Sequence, residues 1–183
     1  MIDFVKLIQT RAFARQDGAI LGIVWIASFV FTMWASHPNH YMWGLLANIL
    51  TISTPFVVAK RLKSFRDNAL DGAISFRHGL FYCVQTFFNA TLLLTVVQYL
   101  WFRFLDTGTF MSQLQQSYQI ALQTYDMTEA NKRTLLEAIS MMSPIAWASL
   151  FMLMDLIVGA ILSPIIAALM ARNIKKQEII NQQ

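Results

Sequence analysis

Four long hydrophobic runs, separated by more polar segments, dominate the chain. They cover residues 18–36, 42–59, 78–104 and 145–171. A helix of about 20 residues crosses a hydrocarbon core of about 30 Å, and separate spans satisfy their backbone hydrogen bonds in lipid only as helices. The pattern therefore predicts an all-α, polytopic membrane protein, in which four transmembrane helices form a single membrane domain over residues 1–183.

The polar segment between the second and third runs has an amphipathic pattern of its own. Within residues 60–77, charged side chains are mixed with apolar ones at spacings that suit a helix lying in the headgroup layer. We therefore predict a cytoplasmic interfacial elbow made by one set of residues. The set is Phe65, Arg66, Gly72, Phe76 and Gly79, in which the phenylalanines dip into the acyl boundary and the glycines allow bends.

The segment 107–143, between the third and fourth runs, predicts an amphipathic helical hairpin. Apolar residues from Phe110 to Tyr125 recur at steps of three and four, which is a helical period. A second short stripe follows Thr128, a predicted N-cap, and ends at Pro144. We expect the hairpin to rest on the membrane or on the bundle, and a docking surface for another protein is the alternative.

Composition and charge agree with a membrane location. Hydrophobic residues make up 56% of the chain and charged residues 13%, against about 25% charged in soluble domains. Three Lys or Arg residues precede the first run, five lie between the second and third, and three follow the fourth, so 11 of the 14 fall on one side. Positive flanks stay cytoplasmic, which predicts cytoplasmic termini and an external 105–144 segment. The formal net charge of +4 then reflects topology and attraction to anionic lipid headgroups, without nucleic acid as a partner.

Asp155 is the one charged residue of the fourth run. A carboxylate near the middle of a span costs about 2.5–3.5 kcal/mol, so it usually faces the protein interior and has a partner. Small residues share its helix face, which favours close helix packing there. Counted from the ends of their runs, Asn48 and Asn89 come out at a similar depth, and Gln85 shares a face with Asn89. We therefore predict an intramembrane polar site of Asp155, Asn48, Asn89 and Gln85.

Three interpretations of this site stay open at the level of sequence, one of which is that these side chains contact lipid headgroups or water at the membrane surface. Buried amides can donate to a carboxyl group and hold helices in register, which would make the site a sealed structural network. The same side chains could instead line a polar passage for a proton or a substrate.

Sequence motifs for catalysis and metal binding are missing. The chain has no HExxH, no glycine-rich phosphate loop, and no nucleophile with a base at recognisable spacing. His37 and His40 flank a tight Pro-Asn loop and read as turn residues, and Cys83 is the single cysteine. We therefore expect a protein that is not an enzyme, with no cofactor and no metal site.

Two segments resemble a known family. FRDNALDGAISFRHG, at 65–79, and FLDTGTF, at 104–110, are similar to motifs of the bacterial membrane family called domain of unknown function 4199. The resemblance implies a four-helix protein of the bacterial inner (cytoplasmic) membrane, mostly of Bacteroidetes-type bacteria, without an assigned activity. It also implies a link to polyprenyl-phosphate glycosyltransferases, near which such proteins are often encoded.

Two functions fit these observations. The first is a non-catalytic accessory or scaffold subunit of a membrane-bound complex, which implies a protein partner. The second is a small transporter or lipid-handling protein that uses Asp155, in a homo-oligomer because four helices enclose little volume. The missing internal repeat favours the first function, whereas the buried acid favours the second.

Overall fold

The computed structural model describes residues 4–35, 37, 40–106, 108, 110, 112, 116–117 and 128–172. Four of its helices are long and apolar enough to cross a membrane, so the predicted all-α, multi-pass architecture is confirmed. The helices are α1 (Phe4–Ala35), α2 (Tyr41–Ala69), α3 (Phe76–Leu100, extended by a π-helical turn at Trp101–Leu105), the short α4 (Glu129–Ser140) and α5 (Pro144–Met170).

The observed spans agree with the hydrophobic runs except in the first two helices. The third and fourth spans begin and end within two residues of the predicted runs. In contrast, α1 begins at Phe4, well before the predicted start at residue 18. Thr10, Ala14 and Asp17 are buried in this early part of α1. Packing of these three residues therefore accompanies the extension of α1 beyond its hydrophobic run.

The predicted elbow is corrected by the course of α2. This helix continues without a break to Ala69, so residues 60–69 form no separate interfacial helix. Val58, Leu62 and Phe65 are buried at steps of four and three, which extends the core-facing stripe of α2 into the charged segment. Phe65 therefore lies inside the protein, stacked on an aromatic ring of α3 with ring centroids 5.0 Å apart, and not in a lipid boundary.

A tight turn at residues 70–75 joins α2 to α3. The backbone N–H of Gly72 donates to the carbonyl of Arg66 over 3.1 Å, and Gly72 has a φ of 80°, a conformation that favours glycine. Ile74 and Arg172 exchange two backbone hydrogen bonds of 3.0 Å, which tie this turn to the residues after α5. We call this end of the bundle the turn end, and the opposite end the loop end.

Helix α3 is central, because it packs between α1 and α5, while α2 packs mainly on α1. Two glycines permit these close approaches. A Cβ atom at Gly18 would lie 2.7 Å from the Cβ of Asn89 and 2.8 Å from the carbonyl oxygen of Thr86. A Cβ atom at Gly159 would lie 2.8 Å from the Cβ of Phe87. Both spacings are too short for any side chain larger than hydrogen.

The predicted hairpin is described only in part. Its second arm is α4, which follows Thr128 at the N-cap position as predicted, whereas most of residues 107–127 lie outside the described residues. Ile139 of α4 is buried with Phe102 and Trp147 in an aromatic cluster at the loop end. The second arm therefore packs against the bundle.

Candidate functional site

A cleft of about 410 Å³ lies in the half of the bundle nearer the loop end. Near the turn end α2 and α5 are joined, because Arg66 Nη1 donates to the carbonyl oxygen of Met170 over 3.2 Å. Towards the loop end, residues from all four spanning helices line the cleft. Thr51 and Val158 line the cleft and are exposed. The cleft therefore reaches the outer surface of the bundle at these two helices, α2 and α5.

The walls of the cleft are mostly apolar, with a few polar groups. Its described polar lining consists of Ser28, Thr32, Thr51, Thr54, Gln98 and Asp155. Its aromatic lining consists of Trp25, Phe29, Phe110 and Phe151. Asp155 is thus the one ionisable side chain among the described residues that line this cleft, and neither Lys nor Arg belongs to that set.

Asp155 lines the cleft from α5 and is half-buried. Its Oδ2 atom is buried, and no described residue donates a hydrogen bond to it. On the α3 wall, Gln98 Oε1 is also buried without a partner among the described residues. Most buried side-chain polar atoms in proteins have at least one hydrogen-bond partner. Two residues that line the cleft therefore each have a buried acceptor atom whose hydrogen bond is unmade among the described residues.

The wall formed by α1 and α2 is satisfied internally. Trp25 Nε1 donates to Thr54 Oγ1 over 2.9 Å, and Ser28 Oγ donates to the carbonyl oxygen of Ala47 over 2.9 Å. The hydroxyls of Ser28 and Thr51 are also 2.9 Å apart. These bonds hold α1 against α2. The unsatisfied acceptors are therefore concentrated on the opposite wall, on α3 and α5.

The structure does not bring the four residues of the predicted polar site together. Asn48 is exposed on α2, and Asn89 Nδ2 donates to the carbonyl oxygen of Gln85 in its own helix over 2.7 Å. Gln85 lines two other cavities. Of the four predicted residues, only Asp155 lines the cleft. The position of a residue along its helix predicts its depth in the membrane. The direction in which its side chain points depends on how the helix is rotated about its axis, and packing that the sequence pattern does not reveal sets that rotation.

The residues predicted for the elbow have mixed surroundings. Phe65 and Arg66 are buried, and Arg66 Nε donates to Asp67 Oδ1 over 2.7 Å. Phe76 is 43% exposed at the start of α3. Gly79 is buried inside α3 beside α2 and α5 and makes no bend. Of the predicted bends, only the one at Gly72 is therefore present.

A buried charged cluster at the turn-end half was missed by the sequence reasoning. Asp17 is 3% exposed and forms an ion pair with Arg61, whose Nε lies 2.5 Å from Asp17 Oδ1. The Tyr82 hydroxyl donates to Asp17 Oδ2. The signal was present, because Asp17 lies three residues after Ala14 and four before Leu21 on one helix face. The cluster joins α1, α2 and α3, and its partners inside the protein make it a structural ion pair.

Metal-binding groups do not assemble in the part of the chain that the structure describes. No set of three or more His, Cys, Asp and Glu side chains is close enough there to hold a metal ion. Cys83 is buried in the core, and His37 and His40 are exposed at the loop end. Neither the cleft nor the Asp17 cluster therefore includes a metal site built from described residues.

Comparison with known proteins adds a family assignment. No curated protein and no solved structure matches the chain. A family described as "Protein of unknown function (DUF4199)" matches residues 16–172. This range includes the Asp17 cluster, the cleft and almost all of the four spans, and it confirms the resemblance carried by the two sequence motifs. The chain therefore belongs to the DUF4199 family, whose function is unknown.

Proposed function

We propose that this chain is a non-catalytic membrane protein that binds an amphiphile from the bilayer in the cleft that reaches the surface at α2 and α5. The observation that carries the proposal is that two residues lining a mostly apolar cleft each have a buried acceptor without a partner among the described residues, Asp155 Oδ2 and Gln98 Oε1. A buried polar atom without a partner costs about 1–3 kcal/mol. A ligand that donates hydrogen bonds to these atoms would recover that cost.

The chemistry of the lining favours a head group with hydrogen-bond donors. A hydroxyl or an ammonium group can donate to a carboxylate and to an amide oxygen. A phosphate group has mainly acceptors and negative charge, and the described lining offers no Lys or Arg to balance it. The cleft therefore fits an alcohol or an amine better than the phosphorylated lipid that a polyprenyl-phosphate system would supply.

The shape of the cleft favours a ligand with an apolar tail. Its volume of about 410 Å³ lies within the range of about 300–1,000 Å³ typical of small-molecule sites. Aromatic side chains from three parts of the chain line it, and it reaches the outer surface of the bundle at the exposed Thr51 and Val158. An amphiphile could thus enter from the lipid without crossing the aqueous phase.

Asp155 variants test this proposal with three ligands that share a twelve-carbon chain: dodecanol, dodecylamine and dodecyl phosphate. We expect the alcohol and the amine, but not the phosphate, to raise the thermal unfolding temperature of the protein in mild detergent. Asp155→Leu should weaken binding of dodecylamine by about 10- to 100-fold, because it removes a charge-assisted hydrogen bond. Asp155→Asn should weaken binding of the amine but keep most of the binding of the alcohol.

The stability of the ligand-free variants provides the control. Asp155 Oδ2 is buried and accepts no hydrogen bond from a described residue, so Asp155→Leu should leave stability unchanged or raise it. Thr95→Val is the matched variant, because it removes a polar atom from α3 outside the cleft. If Asp155→Leu lowered stability by about 1 kcal/mol, the size of an interhelical hydrogen bond in membranes, and left ligand binding intact, the structural interpretation would replace ours.

The orientation of the protein is part of the same proposal. The bias of 11 of the 14 Lys and Arg residues to one side of the hydrophobic runs supports cytoplasmic termini in the bacterial inner membrane. In that orientation the turn end faces the cytoplasm and the cleft lies in the outer half of the bilayer. Its ligand would then come from the outer leaflet.

A second candidate function is that of one subunit in a homo-oligomeric membrane assembly, and Asn48 favours it. Asn48 is exposed on α2 among Leu45, Ile49 and Ile52, which are each more than half exposed. An amide without a partner is costly in hydrocarbon. The amide both donates and accepts, so it can pair with the same group across a two-fold axis. The simplest occupant of this face is therefore a second copy of the chain.

Replacing Asn48 by Leu should weaken self-association by about tenfold, because interhelical hydrogen bonds in membranes contribute about 1–2 kcal/mol in model peptides. Energy transfer between labelled copies in lipid vesicles, measured over a range of protein densities, would report the dissociation constant. Asn68→Leu makes the same change elsewhere on α2, where the Asn68 amide donates to Ser64, and should leave association unchanged. A wild-type protein that stays monomeric at every density would rule this candidate out.

A further inference from the structure

We infer that the surface formed by α1 and α3 at the turn end is a binding site for the phosphate group of an anionic lipid. The site is separate from the cleft and goes beyond the proposed function. A cavity of about 430 Å³ is lined there by Ile8, Arg11, Arg15 and Gln85. Two guanidinium groups one helical turn apart and one amide thus border a single cavity.

The two arginines have no anionic partner among the residues that the structure describes. The ion pairs among the described residues are Asp17 with Arg61, Arg66 with Asp67, and Arg133 with Glu137. Arg11 instead lies over the ring of Phe81, with its Cζ atom 5.9 Å from the ring centroid. Like charges at this spacing on a helix repel each other. An anion between Arg11 and Arg15 would relieve that repulsion and accept hydrogen bonds from both guanidinium groups.

The depth of the arginines matches that of lipid phosphates. At about 1.5 Å per residue, about 30 Å of helix separates Arg15 from Ala35 at the loop end of α1. This length equals the thickness of the hydrocarbon core, about 30 Å. If Ala35 marks one boundary of the core, Arg15 lies at the other and Arg11 lies one turn further, within the headgroup layer.

A second cavity adjoins the first at Gln85 and fits an acyl chain. It has a volume of about 330 Å³ and lies between α3 and α5, where Phe88, Leu156 and Ala160 are among its lining residues. Gln85 belongs to the walls of both cavities. The lining of this second cavity is otherwise apolar. A charged head on Arg11 and Arg15 with a hydrocarbon tail in the adjoining groove indicates a lipid, rather than a free phosphate, as the ligand.

Three probes with one chemical difference at a time test the site: dioleoylphosphatidic acid, dioleoylglycerol and glycerol phosphate. Native mass spectrometry of the detergent-solubilised protein measures their dissociation constants. We expect the wild type to bind phosphatidic acid more tightly than glycerol phosphate. The double variant Arg11→Gln/Arg15→Gln should bind phosphatidic acid about thirtyfold more weakly and dioleoylglycerol unchanged. Both arginines are exposed, so this variant should fold normally.

Matched variants distinguish binding at the arginine site from a general attraction of anionic lipid to positive charge. Lys60→Gln/Lys63→Gln removes the same charge from exposed positions of α2 at the same end, and should leave binding of phosphatidic acid unchanged. Arg11→Lys/Arg15→Lys keeps the charge but loses the planar fork, and should bind with intermediate affinity. Ala160→Phe fills the apolar groove, so it should weaken binding of phosphatidic acid without changing that of glycerol phosphate.

The possible outcomes decide the inference. The inference would be overturned if the arginine and lysine double variants lost the same affinity for phosphatidic acid, or if neither variant lost any. Glycerol phosphate that binds the wild type as tightly as phosphatidic acid would overturn the lipid assignment and leave a site for soluble phosphates. Asp155→Leu should leave the affinity for phosphatidic acid unchanged, so the failure of the cleft proposal and the failure of this one give different results.

Discussion

Replacing Arg61 by Gln should lower the free energy of unfolding by about 3 kcal/mol, the largest loss that we expect from a single change. Removing one partner of a buried ion pair costs about 3–5 kcal/mol, because the other charge stays buried without compensation. Here Asp17 is the residue left behind, with 4% of its side chain exposed. The Arg61 side chain is itself 34% exposed, which favours the lower end of the range. Unfolding in graded mixtures of mild detergent and dodecyl sulfate would measure the change.

A double variant tests whether the loss arises from the pair itself. Asp17→Asn combined with Arg61→Gln removes both charges and keeps an acceptor for the Tyr82 hydroxyl, so it should cost less than the sum of the two single changes. Arg133→Gln is the surface control, because it breaks an ion pair in which both side chains are more than half exposed. Such pairs contribute about 0–1 kcal/mol. Equal losses in Arg61→Gln and Arg133→Gln would contradict the buried-cluster interpretation.

Replacing Gly18 by Ala should produce the second largest loss, about 2–3 kcal/mol. The new Cβ would lie 2.7 Å from the Cβ of Asn89 and 2.8 Å from the backbone carbonyl of Thr86. Neither atom belongs to the mobile end of a side chain, so α1 must move away from α3. Overpacking of this kind typically costs about 1–3 kcal/mol. The thermal unfolding temperature in the same detergent would report the loss.

Gly44 provides the matched control for this change. A Cβ at Gly44 would lie 3.5 Å from the Cβ of Ala35, an ordinary contact. Alanine favours a helix over glycine by about 1 kcal/mol, so Gly44→Ala should be neutral or stabilising. If Gly18→Ala were as stable as Gly44→Ala, the close approach of α1 and α3 would not exist in the protein as it folds in the membrane.

The four spans illustrate what hydrophobic patterning predicts well. The runs 78–104 and 145–171 predicted their helices to within two residues at each end. Bilayer thickness and the need to satisfy backbone groups in lipid act on every residue of a span, so composition alone reveals them. The pattern was less informative for α2, because Leu62 and Phe65 continue its buried face among charged residues.

The candidate sites illustrate what patterning leaves open. Asp155 was identified from sequence, because a single carboxylate in an apolar run is visible without any structure. Its predicted neighbours Asn48 and Asn89 face elsewhere, and Gln98 lines the same cleft instead. Arg11 and Arg15 were counted as topological charges, and only their position beside Gln85 indicates a cavity.

By itself, the sequence determined the class of the protein, the number of spans and the presence of a costly acid in the last one. These features follow from the transfer of residues between water and hydrocarbon, which depends on composition and length. Only the tertiary structure decided that Asp17 pairs with Arg61 and that Asp155 and Gln98 line one cleft. Those features depend on how each helix is rotated and how closely it packs, and contacts such as Gly18 against Thr86 fix both.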